Sequence, residues 1–281
     1  MNKVSHTGPF TVSLSEKMYT FPVNHTLYAL RRRFGALLAR KSVSRAEWMS
    51  FRDGLSPKNT GWELIRVGAN RDGGYLVPND LSDLLGCISP GVSNLVDFEL
   101  FLADRGIPSE MYDASIETLP IQNPRFKFRK NFIGSPLNDG YISLNTAIQE
   151  FPNANKASLL LQMDIEGDEL SAFHTLIPDD LDKFRIIVVE FHRVQDWTNR
   201  TVFRQLVKPI FINLFEKFDL VHIHPNNCDG EFYFAGKFFP RAIEVTFHHK
   251  SRRLLEASPV SLPHFLDTPN TDEVPDIPLK F

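Results

Sequence analysis

A mostly parallel α/β sheet with helices on both faces is the fold class this sequence predicts. Three observations predict it: short apolar runs alternate with helical patterns between residues 84 and 248, Ile186-Ile187-Val188-Val189 is a consecutive β-branched run, and the runs stop at turn or acidic residues. The chain has 281 residues, 42% hydrophobic and 23% charged, which is ordinary globular usage and excludes a largely disordered chain. A net charge of -3 gives no global positive field, so nucleic acid is not an expected partner. No apolar run approaches the roughly 18 residues of a membrane helix, and the first residues lack the pattern of a secretory leader. Two cysteines, Cys87 and Cys228, cannot make a disulfide framework, which points to a reducing compartment and a cytoplasmic protein.

In chain order, residues 1–60 read as an N-terminal extension, 61–250 as the α/β domain and 251–281 as a tail. Lys3, Lys17, Arg31, Arg32, Arg33, Arg40, Lys41 and Arg45 face the single acid Glu16 in the first 45 residues. Leu27, Leu30, Phe34, Leu37 and Leu38 recur at helical spacing around the arginines, which predicts a basic amphipathic helix. Two readings of that helix stay open: a solvated face over the core, or a surface for an anionic membrane or a phosphate-bearing donor. Leu84–Ser89 reads as a strand closed by Pro90-Gly91, and the pattern Leu95, Phe98, Phe101, Leu102 as a helix closed by Gly106. Ser109–Ser115, Phe126–Ile133 and Ser158–Met163 are the next strands, and Leu170, Phe173 and Leu176 make a helix face. Arg185–Phe191 is a buried strand, Trp197–Phe218 a long helix, and Leu220–His224 and Ala242–His248 the last strands. Five prolines, Pro259, Pro263, Pro269, Pro275 and Pro278, predict an extended tail, because proline lacks a backbone donor.

Parallel sheets bind ligands at the carboxyl ends of their strands. The first strand ends in Ser89-Pro90-Gly91-Val92-Ser93, and Asp113 closes the second, where an acid can accept from ribose hydroxyls. Neither G-x-G-x-x-G nor G-x-x-x-x-G-K-[ST] is present at this loop, so a nucleoside without phosphates, such as S-adenosylmethionine, is favoured over a dinucleotide or a triphosphate. Further on, Asp164, Glu190, His192, His222 and His224 gather at three strand ends. Buried carboxylates are costly unless paired or used, and strand alternation puts Glu190 with His192 and His222 with His224.

The sequence resembles FkbM-type S-adenosylmethionine-dependent methyltransferases over about residues 62–250. Arg66-Val67-Gly68 with Asp72-Gly73-Gly74-Tyr75-Leu76-Val77 looks like their opening motif, and Ser89–Ser93 with Asp97-Phe98-Glu99 is similar to their first cofactor motif. Asp113 matches the acid of their second strand, and Met163-Asp164-Ile165-Glu166-Gly167-Asp168-Glu169 resembles their D-[IV]-E-G-x-E signature. Val189–His192, His222–Asn227 and Ile243–Phe247 fit their later strands. The first loop has one glycine where many methyltransferases have two or three.

This resemblance implies a class I methyltransferase (Rossmann-like) fold: a single domain whose seven-stranded sheet has an antiparallel last strand. It implies S-adenosylmethionine as cofactor and O-methylation of a sugar hydroxyl on a glycan or glycosylated metabolite. Gly91, Ser93, Glu99, Asp113 and Asp164 are the expected cofactor-binding residues. A sugar hydroxyl is a weak acid, so a general base or metal is expected to help remove its proton. His192, Glu190, Asp164 and His222 are the catalytic candidates, with His192 slightly preferred over His222 as base. Asp164 and Glu190 with His192 or His222 also make a mixed oxygen and nitrogen donor set suited to Mn²⁺ or Fe²⁺. Two other classes stay open: a metal-dependent hydrolase or lyase using the same cluster, and a non-catalytic nucleoside-binding scaffold. The acceptor and the oligomeric state, homo-oligomer included, are not set by these residues.

Overall fold

The computed structural model describes residues 42–137 and 139–279. The helix expected around Arg31–Arg33 lies outside the described residues. The elements that position the site are α1 (Arg45–Gly54), the hairpin β1 (Leu64–Gly68) and β2 (Gly74–Pro78), β3 (Gly86–Pro90), α2 (Asp97–Asp104), β4 (Ser109–Tyr112), β5 (Phe126–Arg129), β6 (Leu159–Met163), α3 (Glu169–His174), β7 (Phe184–Phe191), α4 (Lys208–Lys217), β8 (Phe218–Phe234) and β9 (Lys237–His249).

Seven strands make one sheet in the order β8-β9-β7-β6-β3-β4-β5. All its neighbouring pairs are parallel except those of β9, which runs antiparallel to both β7 and β8. The expected mostly parallel seven-stranded sheet is therefore present, with its last strand reversed. From β3 the chain moves outward through β4 and β5, then returns to β6 on the other side of β3. In open α/β sheets such a reversal marks the ligand crevice, which here would lie above the carboxyl ends of β3 and β6.

Strand β7 shows how the two faces are built. Ile187, Val189 and Phe191 pack with Phe173 of α3 and with Phe211 and Leu214 of α4. Ile186 and Val188 point the other way, against Val67 and Val77 of the hairpin and Phe98 and Leu102 of α2. Helices thus cover both faces, as the alternation predicts. A fully buried Phe or Leu contributes about 1.5–3 kcal/mol relative to leaving it exposed, and the many phenylalanines are spent largely here. Edge-to-face contacts tie Phe51 to Phe203 (5.2 Å between centroids) and Phe191 to Trp197 (5.4 Å).

Two elements depart from the expected pattern. The long helix over Trp197–Phe218 is broken: a 3-10 turn covers Val194–Thr198, Asn199 caps the next turn by accepting from Thr201 and Val202, and a π turn at Phe203–Val207 leads into α4. Pro209, near the start of α4, has no N–H to return to the preceding turn. Conversely, β8 and β9 run longer than their apolar cores. A register shift between Asn226 and Glu231 absorbs the polar stretch at 226–230, and Ala235-Gly236, both at positive φ, close the ribbon as a tight turn.

The C-terminal stretch lies along this edge. Thr268 Oγ1 donates to the Asn70 carbonyl (2.7 Å), and Asn227 both accepts from Thr271 N–H (3.0 Å) and donates to its carbonyl (2.9 Å). Cys87 is buried, Cys228 is exposed, and both are free thiols. Among the described residues no helix is long and apolar enough to cross a membrane.

Candidate functional site

The crevice between β3 and β6 is stitched by backbone. Asp164 N–H donates to the Pro90 carbonyl (3.2 Å), and Gly91 N–H donates to the Tyr112 carbonyl (2.9 Å). Gly91 has φ of 88°, and a Cβ there would stand 1.5 Å from the Asp164 carbonyl oxygen. The loop and the end of β6 touch only because residue 91 lacks a side chain. Ser93, with φ of 47°, donates its N–H to Asp113 Oδ2 (2.9 Å), and Ser115 N–H reaches Asp113 Oδ1 (2.7 Å). Asp113 therefore braces the loop with one bond per oxygen and keeps a further lone pair on each. Gly91, Ser93, Asp113 and Asp164 are thus brought together at the ends of β3, β4 and β6.

Glu99 has a different place from the expected cofactor contact. It is buried beneath the loop, with Oε1 against the Ser89 hydroxyl, which also faces Gln162 Oε1 at 2.8 Å. One hydroxyl hydrogen cannot serve two acceptors at once. Burial pushes the Glu99 carboxyl up to about 7, so it can carry a proton and share it within the trio. Glu99 supports the loop from below and is not on the crevice surface.

Beside the crevice, Asp164, Glu190 and His192 each offer a donor atom within 4.8 Å of the others. Alternation along β7 sends Glu190 and His192 to the hairpin face. Glu190 is held by Asn226 Nδ2 (2.6 Å to Oε1) and the Tyr75 hydroxyl (3.4 Å to Oε2). His192 Nε2 stands 3.5 Å from Glu190 Oε1, 3.8 Å from Asp164 Oδ1 and 3.7 Å from Glu166 Oε2. Asp164 Oδ1 is buried and has no hydrogen-bond partner.

Burial pushes Asp164 up to about 8; the His192 charge opposes that, while the charges of Glu166, Glu169 and Asp72 add to it. Burial, then the charge of Asp164, carries Glu190 well above the carboxylate range. Burial works against the His192 imidazolium, but Glu169, Asp164 and Glu190 together outweigh it and hold His192 well above the ordinary histidine value. Within this group the charge that opposes the raised carboxyls comes from His192. With an orphaned carboxylate oxygen and an imidazole nitrogen among its donors, the group could hold a metal ion.

His222 is not part of this group. Its Nε2 is 2.8 Å from Asp267 Oδ1, and its ring lies edge-on to His264 at 6.2 Å. The reason is topological: β9 inserts between β7 and β8, and two strand spacings are about 10 Å. His224 is likewise drawn to Glu244 (Nδ1 to Oε2, 3.5 Å). The expected pairing of His222 with His224 on one face holds, with their rings parallel at 6.5 Å, but as neighbours of the C-terminal stretch.

Three contributors were not singled out as site residues: Tyr75, Asn226 and Glu169. Each carries a signal in a quoted motif, at Gly73-Gly74-Tyr75, His224-Pro225-Asn226 and Asp164–Glu169. No protein-family model matches this chain, and no curated protein matches it.

Proposed function

We propose that this chain is an S-adenosylmethionine-dependent O-methyltransferase of FkbM type and class I fold, acting on a sugar hydroxyl with help from a divalent cation. The observation that carries this reading is the strand-order reversal between β3 and β6, with the Gly91 turn at the end of β3 and Asp113 at the end of β4. Asp113 has lone pairs for two ribose hydroxyls, and its bonds to Ser93 and Ser115 keep it aimed. Bound there, S-adenosylmethionine would supply an electrophilic methyl group on a positively charged sulfur. Asp164, just after β6, is the carboxyl group that would face that sulfonium and the amino group once it has lost its proton. Asp164, Glu190 and His192 are the residues that would hold the cation, which would acidify an acceptor hydroxyl. Positioning of the acceptor oxygen in line with the methyl group supplies several kcal/mol of rate enhancement.

The electrostatics revise the choice of base. The surrounding carboxylates favour the charged form of His192, which has no lone pair to accept a proton. Asp164 Oδ1 is the better acceptor, and it becomes available as pH rises toward about 8. Cation binding requires the same protons to leave. Asp164 and His192 both favour their protonated forms, so Mn²⁺ affinity is expected to rise by at least about tenfold per pH unit between pH 6 and 8. Calorimetry in buffers of different ionisation enthalpy reads that proton directly; pH-independent Mn²⁺ binding would contradict this picture of the cluster.

Turnover of S-adenosylmethionine to S-adenosylhomocysteine against a panel of sugars, with and without chelator, tests the reaction. Methyl transfer that survives exhaustive chelation removes the cation. The same Asp-Glu-His group also favours a metal-dependent hydrolase or lyase, which would show metal-dependent cleavage and no affinity for S-adenosylmethionine.

A further inference from the structure

We propose that Glu169 is a positioning residue that fixes His192 with its Nδ1–H turned toward α3 and its Nε2 turned toward Asp164 and Glu190. The proposal rests on reading Asp164, Glu190 and His192 as a cation site. Glu169 is the first residue of α3 and is buried. Its Oε1 accepts from the Gly167 N–H (2.8 Å) and faces His192 Nδ1 at 3.1 Å. Its Oε2 accepts from the His192 backbone N–H at 3.5 Å. The Gly167 and His192 backbone N–H groups both donate to this carboxyl group, so it acts as the acceptor and the hydrogen between it and the ring is assigned to Nδ1.

The ring is planar, and its second nitrogen then has one place to go. Nε2 meets Glu190 Oε1 at 3.5 Å, Glu166 Oε2 at 3.7 Å and Asp164 Oδ1 at 3.8 Å. Glu169 holds residue 192 twice, by backbone and by side chain, so the ring cannot turn over without losing a buried hydrogen bond. A nitrogen ligand needs its lone pair on the side of the cation, and an outer carboxylate on the opposite nitrogen both orients it and raises its basicity. The spacing of Asp164 and Glu169 serves this directly. Glu166 and Gly167, at φ of 57° and 111°, turn the chain so that one short segment places an inner carboxylate and an outer one on either side of the same imidazole.

The test uses the full chain labelled with ¹⁵N-histidine, as wild type, Glu169→Gln and Glu169→Ala, observed by long-range ¹H–¹⁵N spectra with and without Zn²⁺ as a diamagnetic probe. In wild type a downfield, slowly exchanging Nδ1–H is expected, with Zn²⁺ shifting Nε2 alone. Glu169→Gln keeps an acceptor oxygen, so it should retain the Nδ1–H signal at a shifted position. Glu169→Ala should lose that signal and bind Zn²⁺ about 10–100-fold more weakly. A Glu169→Ala protein with an unchanged Nδ1–H signal and Zn²⁺ affinity would overturn the proposal. Should the Ala variant fail to fold, an unshifted Nδ1–H in Glu169→Gln overturns it equally. Wild type that shows the Nδ1–H, loses it on substitution and binds no Zn²⁺ would remove the cation reading and leave the positioning role standing.

Discussion

Gly91→Ala is expected to destabilise the protein by about 3 kcal/mol or more and to abolish binding of S-adenosylhomocysteine. Two independent effects combine. The φ of 88° places residue 91 where an L-residue is strained by roughly 1–2 kcal/mol. A Cβ would also stand 1.5 Å from the Asp164 carbonyl oxygen and 2.5 Å from its carbon. Both are backbone atoms at the end of a buried strand, so no side-chain rotation relieves the overlap. The loop must lift away from β6, breaking the bond from Asp164 N–H to Pro90 and moving Ser93 off Asp113. Urea denaturation and calorimetry on the same preparation check the two halves. An Ala variant with wild-type stability and binding would show that the loop and β6 are not in contact as described.

Asp80→Ala is expected to cost about 3–5 kcal/mol, far from any candidate chemistry. Asp80 follows β2, is 1% exposed, and joins three parts of the fold. It accepts from Arg252 (2.8 Å from Nε to Oδ2), faces His248 Nε2 (3.1 Å) and lies 3.4 Å from Arg185 Nη1. Arg185 is itself buried, so deleting the carboxylate leaves a guanidinium without its counter-charge. Burial alone would raise the Asp80 pKa, but the bonds from Arg252 and His248 and the charge of Arg185 bring it below the usual value. A depressed carboxyl stabilises the fold above its unfolded pKa of about 3.9 and loses that contribution as pH falls through the folded value. Wild type should therefore lose more stability than Asp80→Asn on acidification below about pH 4. Parallel pH-stability curves for the two proteins would contradict the role given to Asp80.

Much of this fold is legible in the sequence because the parallel strands are buried on both sides. Ile186–Val189 needs no partner to be recognised as a core strand, and Pro90-Gly91 and Asp164 mark two strand ends by chemistry alone. Strand order is not local information. The insertion of β9 between β7 and β8 separates His222 from Glu190, and nothing near residue 222 announces it. Asp267, which claims His222, lies 45 residues away. Glu99 was legible as part of a motif, but its burial depends on how α2 packs over β3 and β6. Glu169 is visible in the same segment as Asp164, yet its bond to His192 exists only once α3 folds back beside the end of β7. The broken helix before α4 follows from Asn199 and Pro209, whose local effects the apolar spacing of Val202, Phe203, Leu206 and Ile210 conceals.

The most direct measurement is calorimetry of S-adenosylhomocysteine with wild type and Asp113→Ala. In the proposed function Asp113 accepts from the ribose hydroxyls, and hydrogen bonds to a carboxylate contribute about 1.5–3 kcal/mol. Micromolar binding by wild type, weakened at least about tenfold in the variant, is the predicted result. A well-folded wild type that gives no binding heat and no thermal stabilisation with S-adenosylhomocysteine, with or without Mn²⁺, would contradict the methyltransferase assignment.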